Sequence, residues 1–162
     1  MGTLWPAALI EQCRGADAEA VREGLVRVIV GVDPPASSAG TCGIVACGLD
    51  VAGRAHVLAD HSRSGLSPDG WARAVAAAVD VHGADRLVAE GNQGGEMVSS
   101  VLAAAGIALP VGLVHARRGK TARAEPVAAL FEAGRVKLAG RFEALEAEMA
   151  GMIAGGRYEG PG

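Results

Sequence analysis

Hydrophobic positions along this chain follow two periods, and the period changes from one segment to the next. At 26–33 the run VRVIVGVD is apolar and β-branched and keeps no alternating polar face, the pattern of a strand buried on both sides. It ends in Asp33 and stops at Pro34 and Pro35, which cannot continue a ladder and force a turn. Residues 41–49 (TCGIVACGL) read as a second strand and 54–61 (RAHVLADH) as a third, with alternation across a turn at 50–53. Together these three predict an antiparallel meander. The period then becomes helical. Ser67-Pro68-Asp69 supplies an N-cap, a first-turn proline and a first-turn acid for a helix that runs to His82 and stops at Gly83.

From there strands and helices alternate. A short strand at 85–90 ends in Glu90; a glycine-rich loop at 91–95 leads into a helix at 96–105. A strand at 107–115, a basic segment at 117–123, a helix at 124–133, a short strand at 136–138 and a helix at 142–153 complete the order. Trp71 and Val75 share one helical face and are expected in the core, as are Met97 and Val101, whereas Glu143, Glu146 and Glu148 read as a solvated face with Leu145 and Met149 inward. Residues 1–24 carry short helical patterns at 8–13 and 17–23 and are expected to pack on the outside of the domain. The fold class is α/β, an antiparallel three-strand meander plus parallel strands in one mixed sheet flanked by helices.

Composition narrows this. Half of the 162 residues are apolar but only 3% are aromatic, so the core must be built from Val, Leu, Ile and Ala in closely packed layers. The length suits one domain, with 1–24 as lead-in and 25–162 as body. No apolar run approaches the roughly 20 residues that cross a bilayer, and a basic-then-apolar leader is lacking, so a cytoplasmic protein is expected. Cys13, Cys42 and Cys47 are odd in number and lack CxxC spacing, which predicts buried thiols rather than disulfides or a zinc site. The formal charge of −3 gives no global signature of nucleic-acid binding, so any DNA contact must be local.

Two strands end in carboxylates, Asp33 and Glu90. If the fold sets those strands side by side, the acids repel unless a cation lies between them, and oxygen ligands of this kind favour Mg²⁺ or Mn²⁺. Two such ions would suit phosphodiester hydrolysis. Plain turn and capping roles stand as the alternative for both residues. Asp60 is a candidate outer ligand, with a turn role before Ser62 the stronger reading. Arg117, Arg118, Lys120 and Arg123 could contact a phosphate backbone or form a solvated loop. Gly119-Lys120-Thr121 is not a phosphate loop, because the position that must be glycine is Val114. Gly91 to Gly95 suits an anion nest or a simple turn. His56, His61, His82 and His115 lack ligand spacing and read as structural or surface residues.

These pieces together resemble the nuclease domain of the large terminase subunit, the DNA-packaging protein of tailed phages and phage-derived gene transfer agents. The resemblance rests on Leu4-Trp5, VIVGVDPP, ADHSRSGLSPDGWA at 59–72, VAEGNQGGEMV at 88–98, GKTARAEPVAALFEAGRV at 119–136 and GRFEALEAEM at 140–149, in the family's order and over nearly the whole chain. It implies an RNase H-like fold that cuts concatemeric double-stranded DNA during genome packaging, inside the host bacterial cell, by a two-metal Mg²⁺ or Mn²⁺ mechanism. It implies that Asp33 bridges the metals, that Glu90 is the fourth-strand carboxylate, and that the stretch from Lys120 to Glu125 lies near the site and contacts DNA. The implied partners are a preceding ATPase domain, the portal and the small terminase subunit. One departure matters: the family carries a third aspartate on a helix after the glycine-rich loop, and the sequence stops at Gly162 within that loop, so weak activity is expected. Two other readings remain, a non-catalytic DNA- or portal-docking module with structural acids, and another RNase H-like nuclease such as a junction resolvase.

Overall fold

The computed structural model describes residues 2–91, 94–155 and 157–158. The first strand, β1 (Leu25–Asp33), pairs antiparallel with β2 (Thr41–Asp50), and β2 with β3 (Ala55–Asp60), which gives the expected meander. A two-residue strand, β4 (Arg63–Ser64), extends β2 by pairing with Thr41 and Cys42. Helix α3 (Pro68–His82) follows; α1 (Ala7–Gln12) and α2 (Ala18–Val21) precede β1. The parallel pairings are made at the two edges of the sheet by β5 (Arg86–Glu90), β6 (Val111–Val114) and β7 (Val136–Leu138), separated along the chain by α4 (Gly95–Ala104) and α5 (Lys120–Glu132). The strand order is β6-β5-β1-β2-β3-β7, so β5 crosses over to lie beside β1 and β7 beside β3, both in parallel. Helix α6 (Glu143–Ala150) leads into a small ribbon of β8 (Met152–Ile153) and β9 (Arg157–Tyr158).

Alternation along the strands divides the core between the two sheet faces. Val30, Val32, Ile44, Ala46, Leu58, Leu87 and Ala89 pack under Trp71, Ala72, Val75 and Ala78 of α3 and Val98 and Leu102 of α4. Helix α3 has the boundaries its sequence predicts: Ser67 Oγ accepts from the Gly70 N–H at 3.1 Å, and Gly83 closes the helix at φ 58°, a left-handed conformation that costs glycine nothing. On the opposite face Val57, Val136 and Leu138 pack with Ala128 and Phe131 of α5, Met149 and Met152, and the N-terminal Trp5, Ile10 and Cys13. The lead-in therefore supplies part of the second core rather than lying on the outside. Trp5 packs edge-on against Phe131 at 5.7 Å, and Arg14 makes a two-pronged ion pair with Glu146 at 2.7 and 2.8 Å while also donating to the Gly140 carbonyl.

Several expectations change. The strand at β1 is buried only where neighbours cover it: Val30 and Val32 are enclosed, but Val26 is 60% exposed at the strand's start. The strand expected at 107–115 shrinks to Val111–Val114, because Pro110 has no N–H for the ladder. Helix α5 begins at Lys120, one turn before the expected start, and holds Pro126 in its interior. The last helix ends at Ala150, after which the chain pairs as β8. Glu146 belongs to the Arg14 pair and accepts the Phe142 N–H at 2.6 Å, so it is not a solvated residue. The histidines behave structurally: His56 is buried against Asp50 at 2.8 Å, and His61 and His82 meet Nε2 to Nε2 at 2.8 Å. The three cysteines are free, with Cys13 and Cys42 buried. Among the described residues no helix is long and apolar enough to cross a membrane.

Candidate active site

The crossover that sets β5 beside β1 decides the site. Val32 of β1 is in register with Ala89 of β5, so the next residue of each strand, Asp33 and Glu90, leaves the sheet at the same end and on the same face. Both line a cavity of about 150 Å³ whose other walls are Pro34, Pro35, Ala36, Met97 and Val98. The prolines do two things here: they end β1 immediately after the carboxylate, and they form an apolar wall beside it. Met97, expected in the core, is instead 47% exposed at the cavity edge, because Val98 and Leu102 take the buried face of α4. Gly91 carries the chain out of β5 where a side chain would be crowded: a Cβ there would lie 3.3 Å from His115 Cε1 and 3.4 Å from the Gly95 Cα. The expected loop at 91–95 includes Asn92 and Gln93, which lie outside the described residues.

The electrostatics fit a cation. Solvent reaches the outer edge of Asp33, yet burial of its inner side raises its carboxyl above the usual range, and the negative charge of Glu90 raises it further. Arg123 and Lys120 act in the opposite direction, and Glu148 on α6 adds to the rise. Behind the cavity the Cys42 thiol is pushed up to about 12, first by burial and then by the Asp33 charge, so it is a neutral core group and not a ligand. A carboxylate whose ionised form is opposed by burial and by a second carboxylate beside it is an arrangement that a divalent cation would relieve. Among the described residues no group of three or more His, Cys, Asp or Glu side chains is placed to hold a metal, so the site offers two carboxylates.

The basic residues divide by position. Arg123, in the first turns of α5, reaches Glu90 with its guanidinium at 3.8 Å and donates from Nε to the Arg118 carbonyl at 3.1 Å. Lys120 opens the helix, and Arg117 and Arg118 are exposed on the approach to it. Asp60 is not among the cavity residues: its Oδ1 accepts from the Ser62 N–H at 3.1 Å and from Ser62 Oγ at 2.6 Å, which is the turn role. Two features escaped the sequence reading, the apolar wall with Met97 and the proximity of Glu148 to Asp33. Neither carries a local motif, since each depends on how α4 and α6 pack.

A mixed sheet of this order with two acids at the ends of adjacent parallel strands defines an RNase H-like domain. Residues 30–156 match the profile of the family described as the terminase RNaseH-like domain, and the chain belongs to that family. A search of curated proteins found no match. Several solved structures share the fold, among them the following three. The large terminase of bacteriophage HK97 is 11% identical with a TM-score of 0.70, over 92% of this chain and 36% of that one. The large terminase nuclease of the thermophilic phage G20c with bound magnesium is 16% identical with a TM-score of 0.69, over 100% and 90%. The human cytomegalovirus terminase nuclease domain, soaked with Mn and bound to an inhibitor, is 16% identical with a TM-score of 0.62, over 83% and 74%. The G20c nuclease has also been solved with cobalt and with zinc.

Proposed function

We propose that this domain is the metal-dependent endonuclease of a large terminase, cutting concatemeric double-stranded DNA during genome packaging, with Asp33 and Glu90 as its metal-holding residues. The observation that carries the proposal is the convergence of these two carboxylates in one cavity at the end of β1 and β5, with a raised Asp33. Mg²⁺ or Mn²⁺ bound there in a two-metal arrangement would supply an activated water and neutralise charge on the phosphate. The chain's own residues do the rest. Asp33 and Glu90 present oxygen ligands from two strands whose register is fixed by the ladder, which keeps the carboxylates in place without a flexible loop. Pro34, Pro35 and Val98 exclude water from one side. Arg117, Arg118, Lys120 and Arg123 hold the DNA backbone by charge, each displacing a counterion.

Within the proposal the domain division is 1–24 as the connection to an ATPase domain and 25–162 as the nuclease, acting with the portal and the small subunit in the host cytoplasm. Among the described residues the site offers two carboxylates, and a third ligand would tighten its hold on the metals. The test is plasmid relaxation with Mn²⁺ and with Mg²⁺ by the chain, Asp33→Asn and Glu90→Gln, with linear duplex and a four-way junction as competing substrates. Metal-dependent cutting lost in both variants supports the nuclease reading, and preference for the junction would favour a resolvase. A chain that binds DNA and cuts with neither metal is a docking module.

A further inference from the structure

Thr121 is a buried polar residue, 5% exposed, in the first turn of α5. Burying a hydroxyl in an apolar cluster is costly unless it finds an acceptor. Here its Oγ1 donates to the sulfur of Met152 at 3.8 Å, a weak acceptor that is itself buried at 8% exposure. Met152 is in turn held by the start of the chain. Its carbonyl accepts the Leu4 N–H at 2.7 Å and Thr3 Oγ1 at 3.2 Å, and the Ala154 N–H donates to the Gly2 carbonyl at 3.1 Å. Two residues after Thr121, Arg123 extends to Glu90 at 3.8 Å.

We infer that Thr121 and Met152 are positioning residues for the active site: the N-terminal segment fixes Met152, Met152 fixes the first turn of α5, and that turn holds Arg123 against Glu90. The contact also accounts for the helix starting at Lys120, a turn ahead of the expected start, since a packed Thr121 holds residues 120–123 in helical register. The inference rests on the nuclease reading for its consequence. A guanidinium beside Glu90 competes with a metal ion for the same carboxylate, so the position of this turn sets the affinity of the site for cations. Any pull on residues 2–5 from a preceding domain would reach the site by this route without touching a carboxylate.

Mn²⁺ binding to the full chain, read from the free-ion signal by electron paramagnetic resonance, tests this whether or not DNA is cut. Met152→Leu conserves volume but leaves the Thr121 hydroxyl without an acceptor, so the turn has to shift to let it reach water. The expected result is a Kd for Mn²⁺ about threefold lower, the scale of a partly exposed ion pair, equal to that of Arg123→Gln. Met152→Leu combined with Arg123→Gln should give no further change, and Thr121→Val combined with Met152→Leu should restore the original Kd. Leu4→Pro, which deletes the N–H on the Met152 carbonyl, should repeat the threefold shift. An unchanged Kd in Met152→Leu, or effects that add to Arg123→Gln, overturns the positioning role; an unchanged Kd in a folded Leu4→Pro overturns the anchoring by the N-terminal segment. A chain that neither binds Mn²⁺ nor cuts DNA removes the nuclease reading first, and this inference with it.

Discussion

Replacing Arg14 with methionine removes the ion pair that ties the lead-in to α6, and its cost can be worked from the geometry. Arg14 and Glu146 are 15% and 16% exposed at their side chains and meet at 2.7 and 2.8 Å, and Arg14 also donates to the Gly140 carbonyl at 2.8 Å. Exposed pairs contribute at most about 1 kcal/mol, whereas stranding one member of a fully buried pair costs about 3 to 5 kcal/mol. This pair is enclosed on the protein side and wet along its rim, where Glu11 and Arg141 lie, so Arg14→Met should cost about 2 kcal/mol. For a domain of this size that is about 4 to 8 °C in Tm, read by thermal and urea denaturation followed by circular dichroism. Arg14 holds the Glu146 carboxyl below its ordinary 4.5, ahead of the Phe142 N–H, against the opposing effect of burial. A lowered acid contributes stability above its unfolded pKa and loses it on acidification, so the gap between the two proteins should close as pH falls below 4.5. Adding Glu146→Gln should recover part of the loss, since the stranded charge disappears. A cost below about 0.5 kcal/mol at pH 7, or no closing of the gap in acid, would refute the argument that this pair is a structural clamp.

Two further outcomes follow from titrating groups. Asp33 is raised from 3.8 in the fold, so its ionised form opposes folding at neutral pH; in EDTA at pH 7, Asp33→Asn should raise Tm, by an amount that vanishes as pH falls toward 3.8. Excess Mn²⁺ should stabilise the unsubstituted chain by mass action and leave Asp33→Asn unmoved, and a lowered Tm for that variant in EDTA would show that Asp33 has a structural role. His82 is lowered from 6.5 by burial, then by His61 and Arg22, so the unfolded chain takes up the proton first and stability should fall as pH drops below 6.5. His82→Gln should flatten that fall between pH 6.5 and 5 in urea titrations, and an unchanged slope would exclude this imidazole pair as its source.

The elements were legible wherever a local signal was strong. Ser67, Pro68 and Gly83 bounded α3 to the residue, because capping and left-handed stops are set by the side chains at those positions. The alternation of 54–61 and the proline stop after Asp33 likewise placed three strands of the meander. What the pattern misjudged were residues whose burial depends on distant chain. Met97 reads as core by helical spacing, yet α4 turns Val98 and Leu102 inward. Glu146 reads as solvated by its neighbours Glu143 and Glu148, yet Arg14, 132 positions away, encloses it. The lead-in reads as peripheral, but the sheet face that carries α5 leaves room for Trp5 beside Phe131.

The sequence by itself determined that this chain is a mixed α/β domain with acids at two strand ends, because strand period, caps and proline stops are properties of neighbouring residues. Only the tertiary structure decided that the two acids face one another. Asp33 and Glu90 are 57 positions apart, and it is the crossover through α3 that sets β5 parallel to β1 with Val32 opposite Ala89. Their mutual repulsion, the proline wall, the approach of Arg123 and the hold of Met152 on Thr121 all arise from that packing. Charges act through space and not along the chain, so no reading of local order could supply them.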